Sequence, residues 1–512
     1  MTYSLIIQAG GKGTRLMGEN SVFPKLLKTF SGKTIYDHML DSLNPTGEIV
    51  VILDQSYSCW EAFLLEKASK VIYSDKKGDL AGIEQALDFL WSKSCSQKVL
   101  VAWSDLYFTQ SFLEDCRLSE ESAVTSNVLL LLSDGVQKCR LSFQDGFSSN
   151  EQGVRYPFPG VFILDLENKK TKAFKNWIDE TPNPSFDLLA KEHLEEVFFE
   201  GGVLSKNITQ IGTKEEFTQH NCPFSPRSFN KIHFFDSFVI KESQNKTDLE
   251  HEYEWLKESY PQHQFSFSRR TFDLEMPLFR HSSKFLKENL VNGAIESLSD
   301  LHESRTAKYI GLEEGRNLFE EVLLQKALKR VEIFRKHLPV QISKIDGVEI
   351  IQDLETRLRN LFDLILRDLG TGLEYLNFVH GDPTLSNLCL DQDGKEFIWI
   401  DPRPPFFKEH LFYGFKILDF AKLYYSLSGY DSLNRYEIIP RIIDGNILIN
   451  ELDVLTEVPS VFPFPNSFLE KFMPFLWLSL AAYAIDTPIE ASIAYGIGIK
   501  KLLKFSIGDY AA

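Results

Sequence analysis

The sequence has few cysteines for its length and no apolar run long enough to cross a bilayer. Its 512 residues include six cysteines, none of them in a CxxC pair. Scattered single thiols indicate packing roles in a reducing compartment, and they exclude a disulfide framework or a cysteine-based zinc site. The longest apolar stretch, residues 472–485, contains Pro474 and Ser479. A spanning helix needs about 20 residues, so this stretch predicts a buried helix instead.

The chain also lacks a basic segment at its N-terminus and an excess of positive charge. We therefore expect no signal peptide and a cytoplasmic protein. Acidic side chains number 72 against 55 basic ones, which gives a formal net charge of −17. That balance argues against nucleic acid and against anionic membranes as partners. Hydrophobic residues at 43% and charged residues at 25% are typical of a soluble globular protein.

The first part of the chain alternates strand-like and helical patterns. At roughly 150 residues per domain, the length predicts about three domains or two larger ones. Strands are expected at 4–8, 48–54, 98–103 and 124–132, with a helix at 83–93. This alternation predicts a Rossmann-like α/β domain over residues 1–220, with a mostly parallel sheet covered by helices.

A proline-rich stretch separates this part from a second composition. Pro223 and Pro226 lie close together, and proline blocks helix continuation. A strand pair is then expected at 231–242 and a strand–loop–strand segment at 378–401. The helices expected in the same part lie at 248–258, 283–302, 316–337 and 348–369. Residues 227–512 are therefore predicted to form an α+β domain, and we find no internal repeat.

A glycine loop follows the first predicted strand, with the sequence G-G-K-G-T-R at residues 10–15. Glycines let backbone N–H groups approach a polyphosphate, and Arg15 together with Lys25 of a following P-K pair would add positive charge. The loop has neither the GK[ST] ending of a Walker loop nor the GxGxxG of a dinucleotide fold. The alternative is an ordinary turn between a strand and a helix.

The combination of GGxGTRL with PK resembles the sugar-nucleotidyltransferase family, which couples a nucleoside triphosphate to a sugar phosphate or phospho-alcohol. The resemblance implies catalytic roles for Arg15 and Lys25 on the phosphates. It implies nucleotide binding by glycine-loop residues and by a second loop at 78–82, namely Gly10, Gly11, Gly13, Thr14 and Gly82.

A metal site is also implied by this resemblance. Asp105 ends an apolar strand, and Mg²⁺ favours one or two carboxylates together with phosphate oxygens and water. Asp105 is therefore the expected Mg²⁺ ligand, with an ordinary loop aspartate as the alternative. The family carries a second aspartate in a W-x-D-I-G-T segment, where this chain has Gln210. An uncharged amide would weaken metal binding, so either another acid substitutes or catalysis is weakened.

The pattern H-G-D-x-x-x-x-N at 380–387, followed by I-D-P at 400–402, carries further chemistry. Phosphoryl transfer needs a carboxylate that accepts the hydroxyl proton and metal ligands that neutralise the triphosphate. Asp382 suits the first role, whereas Asn387 and Asp401 suit Mg²⁺ binding. The pattern resembles the aminoglycoside phosphotransferase and choline kinase family over about residues 227–500, which implies a two-lobed protein-kinase-like fold.

A kinase also needs a lysine on a small sheet, paired with a glutamate on the following helix. Lys241 and Glu252 fit these positions and are predicted to bind ATP, while Glu254 faces away around the helix. Two residues are interpreted as structural. His380 is expected to orient the loop through hydrogen bonds, and His302 to pack. Asp419 resembles a family residue that braces the loop.

Aromatic residues are plentiful, with 41 Phe among them. An aromatic cage would favour a quaternary amine as acceptor, but core packing explains the aromatics around 406–412 equally well. Trp477, Tyr483 and Tyr495 lie where the substrate lobe is expected. Their helical spacing favours core packing.

Together the two resemblances predict a bifunctional transferase. The C-terminal domain would phosphorylate a sugar, amino alcohol or polyol with ATP, and the N-terminal domain would transfer a nucleotidyl group from an NTP to that phosphate. The product would be a precursor of a surface polysaccharide. Three alternatives stay open: a kinase with a nucleotide-binding-only first domain, a transferase with a ligand-sensing kinase fold, and a non-catalytic scaffold. The acceptor, the base and the formation of a homo-oligomer are left open.

Overall fold

The computed structural model describes most of the chain in two compact units. The first unit comprises Met1–Asn221 with Pro339–Gln341 and Arg441–Asp444, and the second comprises Cys222–Leu338, Ile342–Pro440 and Gly445–Ala512. The proline stretch predicted as the boundary lies outside the described residues. The described residues are 3–11, 14–17, 21, 23–74, 76–93, 98–109, 111–113, 127–132, 141–144, 155–192, 194–199, 202–220, 230–281, 288–337, 344–345, 348–349, 353–405, 407, 409–430, 441–443, 446–448 and 461–505.

The first unit is built on a seven-stranded sheet with three small two-stranded ribbons beside it. The sheet has the strand order β12-β8-β11-β6-β1-β4-β5. The strands of the unit are β1 (Tyr3–Ala9), β2 (Thr29–Phe30), β3 (Lys33–Thr34), β4 (Ile49–Leu53), β5 (Lys70–Tyr73), β6 (Lys98–Trp103), β7 (Leu106–Phe108), β8 (Val128–Leu132), β9 (Leu141–Gln144), β10 (Arg155–Phe158), β11 (Val161–Asp165), β12 (Gly202–Ser205) and β13 (Ile208–Gln210).

Strand β1 lies inside this sheet and is buried along its whole length. It runs parallel to β4 and to β6, with Ile6 opposite Val50 on one side and Val101 on the other. Strand β11 runs antiparallel to both of its neighbours. Near-continuous apolar runs are typical of parallel strands that are covered on both faces. The predicted mostly parallel, helix-covered sheet is therefore confirmed.

The helices of the first unit cover the sheet with apolar faces. Ile83, Leu87 and Leu90 are buried in the same core as Ile6. Side-chain caps define several helix starts, as where Thr34 accepts a hydrogen bond from the N–H of Asp37. The helices are α1 (Thr14–Met17), α2 (Ile35–Leu43), α3 (Glu61–Leu65), α4 (Ile83–Lys93), α5 (Lys169–Glu180), α6 (Phe186–Lys191), α7 (Glu195–Phe198) and α8 (Lys214–His220).

The second unit begins with a four-stranded antiparallel sheet in the order β14-β15-β17-β16. Shorter ribbons lie among the helices that follow. The strands are β14 (Asn230–Phe234), β15 (Phe238–Ser243), β16 (Ser266–Ser268), β17 (Asp273–Pro277), β18 (Arg280–His281), β19 (Lys308–Tyr309), β20 (Lys344–Ile345), β21 (Val348–Glu349), β22 (Tyr375–Phe378), β23 (Leu388–Leu390), β24 (Phe397–Trp399), β25 (Tyr413–Gly414) and β27 (Asn446–Leu448), with β26 (Arg441–Ile443) assigned to the first unit.

Helices make up most of the remainder of the second unit. Residues 473–482 are buried on every side, as an apolar helix in a core should be, which confirms the buried helix predicted there. The described part of the chain contains no helix long and apolar enough to cross a membrane. The helices are α9 (Lys246–Ser259), α10 (Glu288–Glu303), α11 (Leu312–Glu320), α12 (Lys326–His337), α13 (Leu354–Leu369), α14 (Lys416–Tyr425), α15 (Asn466–Leu469), α16 (Met473–Tyr483) and α17 (Pro488–Lys504).

Two helix predictions in this unit were wrong in detail. The single helix expected at 316–337 is interrupted by a π-helical turn, Glu321–Gln325, between α11 and α12. The helix expected from residue 348 starts only at Leu354, because Val348–Glu349 is a short strand that pairs with β20. Apolar periodicity alone does not separate a short strand from a first helical turn.

Candidate active sites

The glycine loop leaves the carboxyl end of β1. The N–H of Gly10 donates to Oε1 of Gln8 at 3.3 Å. At exposed Gly11, no described atom lies within 4 Å of the position that a Cβ would take, so the backbone is open to a ligand. Gly13 lies outside the described residues. Thr14 and Arg15 begin α1, and their side chains lie outside the described part.

Gln8 joins the glycine loop to the second loop predicted to bind nucleotide, at residues 78–82. Its Nε2 donates to the carbonyl oxygens of Asp79 at 3.0 Å and Ala81 at 2.8 Å. Gly82 has φ +87 and donates its N–H to Oε2 of buried Glu84 at 2.9 Å. The positive φ of Gly82 and this hydrogen bond shape the loop. The sequence analysis missed Gln8 and Glu84, since nothing local marks a polar residue in a strand or in a first helical turn as a loop anchor.

Lys25 and Asp105 come together at the end of β6. Lys25 begins the short helix Lys25–Leu27 after Pro24, and its Nζ lies 3.0 Å from Oδ2 of Asp105. Oδ1 of Asp105 is buried, with no hydrogen-bond partner among the described residues. A buried carboxylate oxygen without a donor is energetically unfavourable unless a cation or a water reaches it. This oxygen therefore suits a metal ligand.

The segment containing Gln210 lies directly beside Asp105. The N–H of Ile211 donates to the backbone oxygen of Asp105 at 2.8 Å, and Gln210 pairs with Leu106 across β13 and β7. A Cβ on Gly212 would lie 2.7 Å from Oδ2 of Asp105, so only glycine allows this approach. The position equivalent to the family's second aspartate thus adjoins the predicted metal ligand and carries an amide.

In the second unit, Lys241 is held between two carboxylates. Its Nζ lies 2.6 Å from Oε2 of Glu252 on α9 and 2.8 Å from Oδ1 of Asp401. Burial works against the charge of Lys241, but Asp401 and Glu252 outweigh burial and raise the pKa of the lysine. A sheet lysine, a helix glutamate and a strand-end aspartate are therefore assembled at one place.

A second cation, Arg403, contacts Asp401. The sequence analysis gave Arg403 no role. Its Nη2 lies 2.9 Å from Oδ1 of Asp401 and its Nη1 lies 3.2 Å from Oδ2 of Asp248. Burial opposes ionisation of Asp401, yet Lys241 and Arg403 hold the pKa of this carboxyl far below its ordinary value. Both cations contact Oδ1 of this carboxylate. The I-D-P-R sequence shows an arginine next to Asp401 along the chain, but it does not show which carboxylates that arginine contacts.

Asp382 and Asn387 lie on one loop between β22 and β23. Nδ2 of Asn387 donates to the backbone oxygen of Asp382 at 2.9 Å, which leaves Oδ1 of the amide as its potential metal-binding atom. Lys422, another residue that the sequence analysis missed, places its Nζ 2.9 Å from Oδ1 of Asp382. Burial opposes ionisation of Asp382, and Lys422 outweighs it, so the pKa lies below its ordinary value.

The backbone of this loop is held by Asp419 and His380. Asp419 accepts hydrogen bonds from the N–H groups of His380 and Gly381, each at 2.8 Å, and its Oδ2 lies 3.0 Å from Nε2 of buried His302. The imidazole of His380 lies 3.0 Å from the backbone oxygen of Ile400. Burial lowers the pKa of His380, which favours the neutral ring. These contacts agree with the bracing and structural roles interpreted from the sequence.

The aromatic residues divide between the core and the surface. Trp477 and Tyr495 are buried as expected, but Tyr483 is 44% exposed, so its predicted core position was wrong. Helical spacing predicted that all three residues lie on apolar helices. It did not show that α16 ends at Tyr483, where the side chain leaves the core. Phe412 is buried and Phe406 lies outside the described residues.

No described group of three or more His, Cys, Asp or Glu side chains is arranged to hold a metal ion on its own. A site for Mg²⁺ in either unit would therefore need phosphate oxygens as additional ligands. Mg²⁺ commonly binds in this way, with few protein carboxylates and retained water. Oδ1 of Asp105 in one unit, and Asn387 with Asp401 in the other, fit that chemistry.

Comparison with known proteins identifies the first of these regions. Residues 5–127 match the MobA-like NTP transferase domain. The first unit contains an NTP transferase domain. The match covers the glycine loop, Lys25, the 78–82 loop and Asp105.

Curated relatives agree with that assignment over limited lengths. The chain is 32% identical over 111 residues to the bifunctional protein GlmU of Francisella philomiragia, covering 21% of this chain and 23% of the relative. It is 28% identical over 187 residues to GlmU of Francisella tularensis subsp. novicida, covering 35% of this chain and 36% of the relative. The chain thus spans about a quarter to a third of the length of these relatives.

Solved structures that resemble part of the chain include two with the same TM-score. HddC from Yersinia pseudotuberculosis is 20% identical, with a TM-score of 0.33, covering 43% of this chain and 98% of that one. The inositol-1-phosphate CTP transferase from T. maritima is 19% identical, with a TM-score of 0.33, covering 42% of this chain and 91% of that one.

Proposed function

We propose that the chain is a bifunctional transferase. Its second unit phosphorylates a hydroxyl group of a small metabolite with ATP, and its NTP transferase domain joins a nucleotidyl group from an NTP to the resulting phosphate. Such a product would be an activated precursor of a surface polysaccharide. Because both reactions consume nucleoside triphosphates, we place them in the cytoplasm. The homo-oligomer left open from the sequence stays open.

The observation that carries the kinase half is the ion-pair group of Lys241, Glu252 and Asp401. The ammonium of Lys241 on a strand lies 2.6 Å from Glu252 on a helix and 2.8 Å from Asp401 on a loop. Phosphoryl transfer requires a lysine, a glutamate and a metal-binding aspartate of this kind. An ordinary surface lysine would not be buried between two carboxylates. Asp382 and Asn387 lie on the adjoining loop and supply the remaining roles.

In the proposed phosphoryl transfer, each residue acts through position and charge. Lys241, held by Glu252, would bind the ATP phosphates. Asp382 is ionised and would accept the proton of the acceptor hydroxyl. Asn387 and Asp401 would hold Mg²⁺, which when bound neutralises the charge of the triphosphate.

In the proposed nucleotidyl transfer, the backbone around Gly10 and Gly11 would bind the triphosphate. Lys25 would carry phosphate charge, and Asp105 would hold Mg²⁺. The phosphate of the acceptor would attack the α-phosphorus of the NTP and release pyrophosphate. Preorganised cations close to the reacting phosphates are the main source of rate acceleration in such a step.

Mass spectrometry of a pooled reaction tests both halves together. Full-length protein, Mg²⁺, four NTPs and a panel of sugars, amino alcohols and polyols are expected to give an acceptor that carries a phosphate and a nucleotidyl group. Asp382→Asn should abolish phosphorylation and retain nucleotidyl transfer to supplied sugar phosphates. Asp105→Asn should do the reverse. Loss of both activities in either variant would contradict two independent sites.

A second candidate is a kinase whose NTP transferase domain only binds nucleotide. Gln210 beside Asp105 favours it, because one carboxylate binds Mg²⁺ more weakly than two. Under this alternative, phosphorylated acceptor accumulates, and no labelled pyrophosphate exchanges into any NTP. Exchange that depends on Asp105 would exclude it.

A further inference from the structure

One face of α14 contacts the loop of Asp382 at three places. Asp419, Lys422 and Ser426 follow one another at spacings of three and four residues, so their side chains share that face. Asp419 accepts hydrogen bonds from two backbone N–H groups at the start of the loop, and Ser426 Oγ accepts one from the N–H of Leu385 at 2.8 Å. Between these two anchors, Nζ of Lys422 lies 2.9 Å from Oδ1 of Asp382. The helix therefore fixes the place of this cation relative to the carboxylate.

The three contacts differ in exposure. Asp419 and Ser426 are buried and bind backbone groups of the loop, as residues with a structural role do. Lys422 instead contacts a side chain, that of Asp382, and the two side chains are 29% and 30% exposed. Its ammonium also lies 5.7 Å from the ring centre of buried Tyr425. A substrate that reaches Asp382 can therefore reach the ammonium of Lys422 as well.

A hydroxyl group that gives its proton to Asp382 would lie close to this ammonium. The hydroxyl oxygen would be about 2.7 Å from a carboxylate oxygen. The γ-phosphorus of ATP would be about 3–3.5 Å from that hydroxyl oxygen before reaction. Nζ of Lys422 binds the same carboxylate at 2.9 Å, on a flexible four-carbon stem. The phosphoryl group in transfer is thus within its reach.

The ion pair is unfavourable for a residue that only accepts a proton. A cation beside a carboxylate favours the ionised form and so opposes uptake of the hydroxyl proton. In phosphoryl transfer, however, charge in the transition state is spread over the oxygens of the transferred phosphoryl group. A preorganised cation next to those oxygens stabilises the transition state. Lys422 at this position therefore suits the phosphoryl group better than it suits the base.

We propose that Lys422 is a catalytic residue of the second unit, whose ammonium passes from Asp382 to the transferred phosphoryl group during the reaction. This inference rests on the proposed kinase function. It gives Lys422 a different task from that of Lys241, which is held by Glu252 and Asp401 and would bind the phosphates of ATP before transfer.

The reaction balances with ATP as the co-substrate. The O–H bond of the acceptor breaks, its proton passes to a carboxylate oxygen of Asp382, and the electron pair stays on the acceptor oxygen. That oxygen bonds to the γ-phosphorus, while the bond from this phosphorus to the β,γ-bridging oxygen breaks and its electron pair leaves with ADP. Protonation removes the negative charge that held Lys422. Its ammonium then faces the phosphoryl oxygens and gives up no proton.

The first test measures ADP release by the full-length protein, with Mg²⁺, ATP and the sugar, amino alcohol or polyol that gives the highest rate. Lys422→Met is expected to lower kcat about 100- to 1,000-fold, as the loss of one transition-state donor does, with KM for ATP unchanged. Lys422→Arg keeps the charge and should retain more of the rate. Lys416→Met, at an exposed lysine on the same helix, is the matched control and should equal the parent protein. Equal kcat in Lys422→Met and the parent would overturn the inference.

A binding measurement separates contact with the phosphoryl group from orientation of Asp382. Calorimetry would give the affinity of the full-length protein for Mg²⁺ and ADP, with and without aluminium fluoride in the place of the transferred phosphoryl group. In an Asp382→Asn background, Lys422→Met is expected to weaken the fluoride complex about 10- to 100-fold, because a hydrogen bond to a charged group is lost. Binding of Mg²⁺ and ADP alone should not change. Equal affinities for the fluoride complex would overturn the inference, since Lys422 would then act only through Asp382.

The same experiments identify a failure of the kinase function itself. A parent protein that binds no ADP with Mg²⁺, and releases no Asp382-dependent ADP with any acceptor of the panel, would refute the proposed kinase and this role of Lys422 with it. A parent protein that phosphorylates an acceptor, beside a Lys422→Met variant of equal kcat, would refute the role of Lys422 alone.

Discussion

The ammonium nitrogen of Lys241 lies 2.8 Å from Oδ1 of Asp401, across 160 residues of sequence. This ion pair joins β15, an inner strand of the four-stranded sheet, to the loop after β24. It brings together the cation that we propose to bind phosphate and a proposed metal ligand, and Glu252 holds the cation from the other side.

Replacing Glu252 tests whether this arrangement serves ATP. Glu252→Gln keeps the shape but removes the charge that faces Lys241. We expect KM for ATP to rise on the order of 10- to 100-fold, since a buried charge-assisted contact is worth about 1.5–3 kcal/mol. Nucleotidyl transfer to a supplied sugar phosphate should stay unchanged. Glu254→Gln, exposed on the same helix, is the control, and an equal effect there would contradict the assignment.

Asp419 provides a test of loop positioning. Asp419→Asn places an amide against two backbone N–H donors, so one of the two 2.8 Å hydrogen bonds is lost. Unfolding measured by denaturant should show the second unit destabilised by about 1–3 kcal/mol. The kcat of phosphorylation should fall while KM for ATP changes little. Asp300→Asn, exposed on α10, should leave both quantities as they are.

Gly212 permits a selective test of the NTP transferase domain. In Gly212→Ala the new Cβ would lie 2.7 Å from Oδ2 of Asp105 and displace the carboxylate from Lys25. A displacement near 1 Å at a reacting centre can lower the rate about 100-fold, so we expect a loss of that order in nucleotidyl transfer. Phosphorylation should continue at the parent rate.

Gly372→Ala is the matched control, because a Cβ there would meet no described atom within 4 Å. Normal transfer rates in Gly212→Ala would show that Asp105 does not need its present position.

Several helices and strands of the first unit could be predicted from the local pattern of apolar residues in the sequence. The helix expected at 83–93 has the observed bounds of α4, and the strand expected at 98–103 has those of β6. Both are strongly patterned segments, in which periodicity and burial agree. Gln8 illustrates the limit, because its partners Asp79 and Ala81 belong to a loop more than 70 residues away.

The sequence by itself determined which reactive groups each proposed site can use, since the glycine loop and the H-G-D-x-x-x-x-N pattern place those groups at short, local spacings after a strand. Only the tertiary structure decided what acts on those groups. It placed Lys241 against Asp401, Gly212 against Asp105, and Lys422 against Asp382. Such contacts depend on how distant elements pack, and a π-helical turn that shifts the register of α12 cannot be read from apolar spacing.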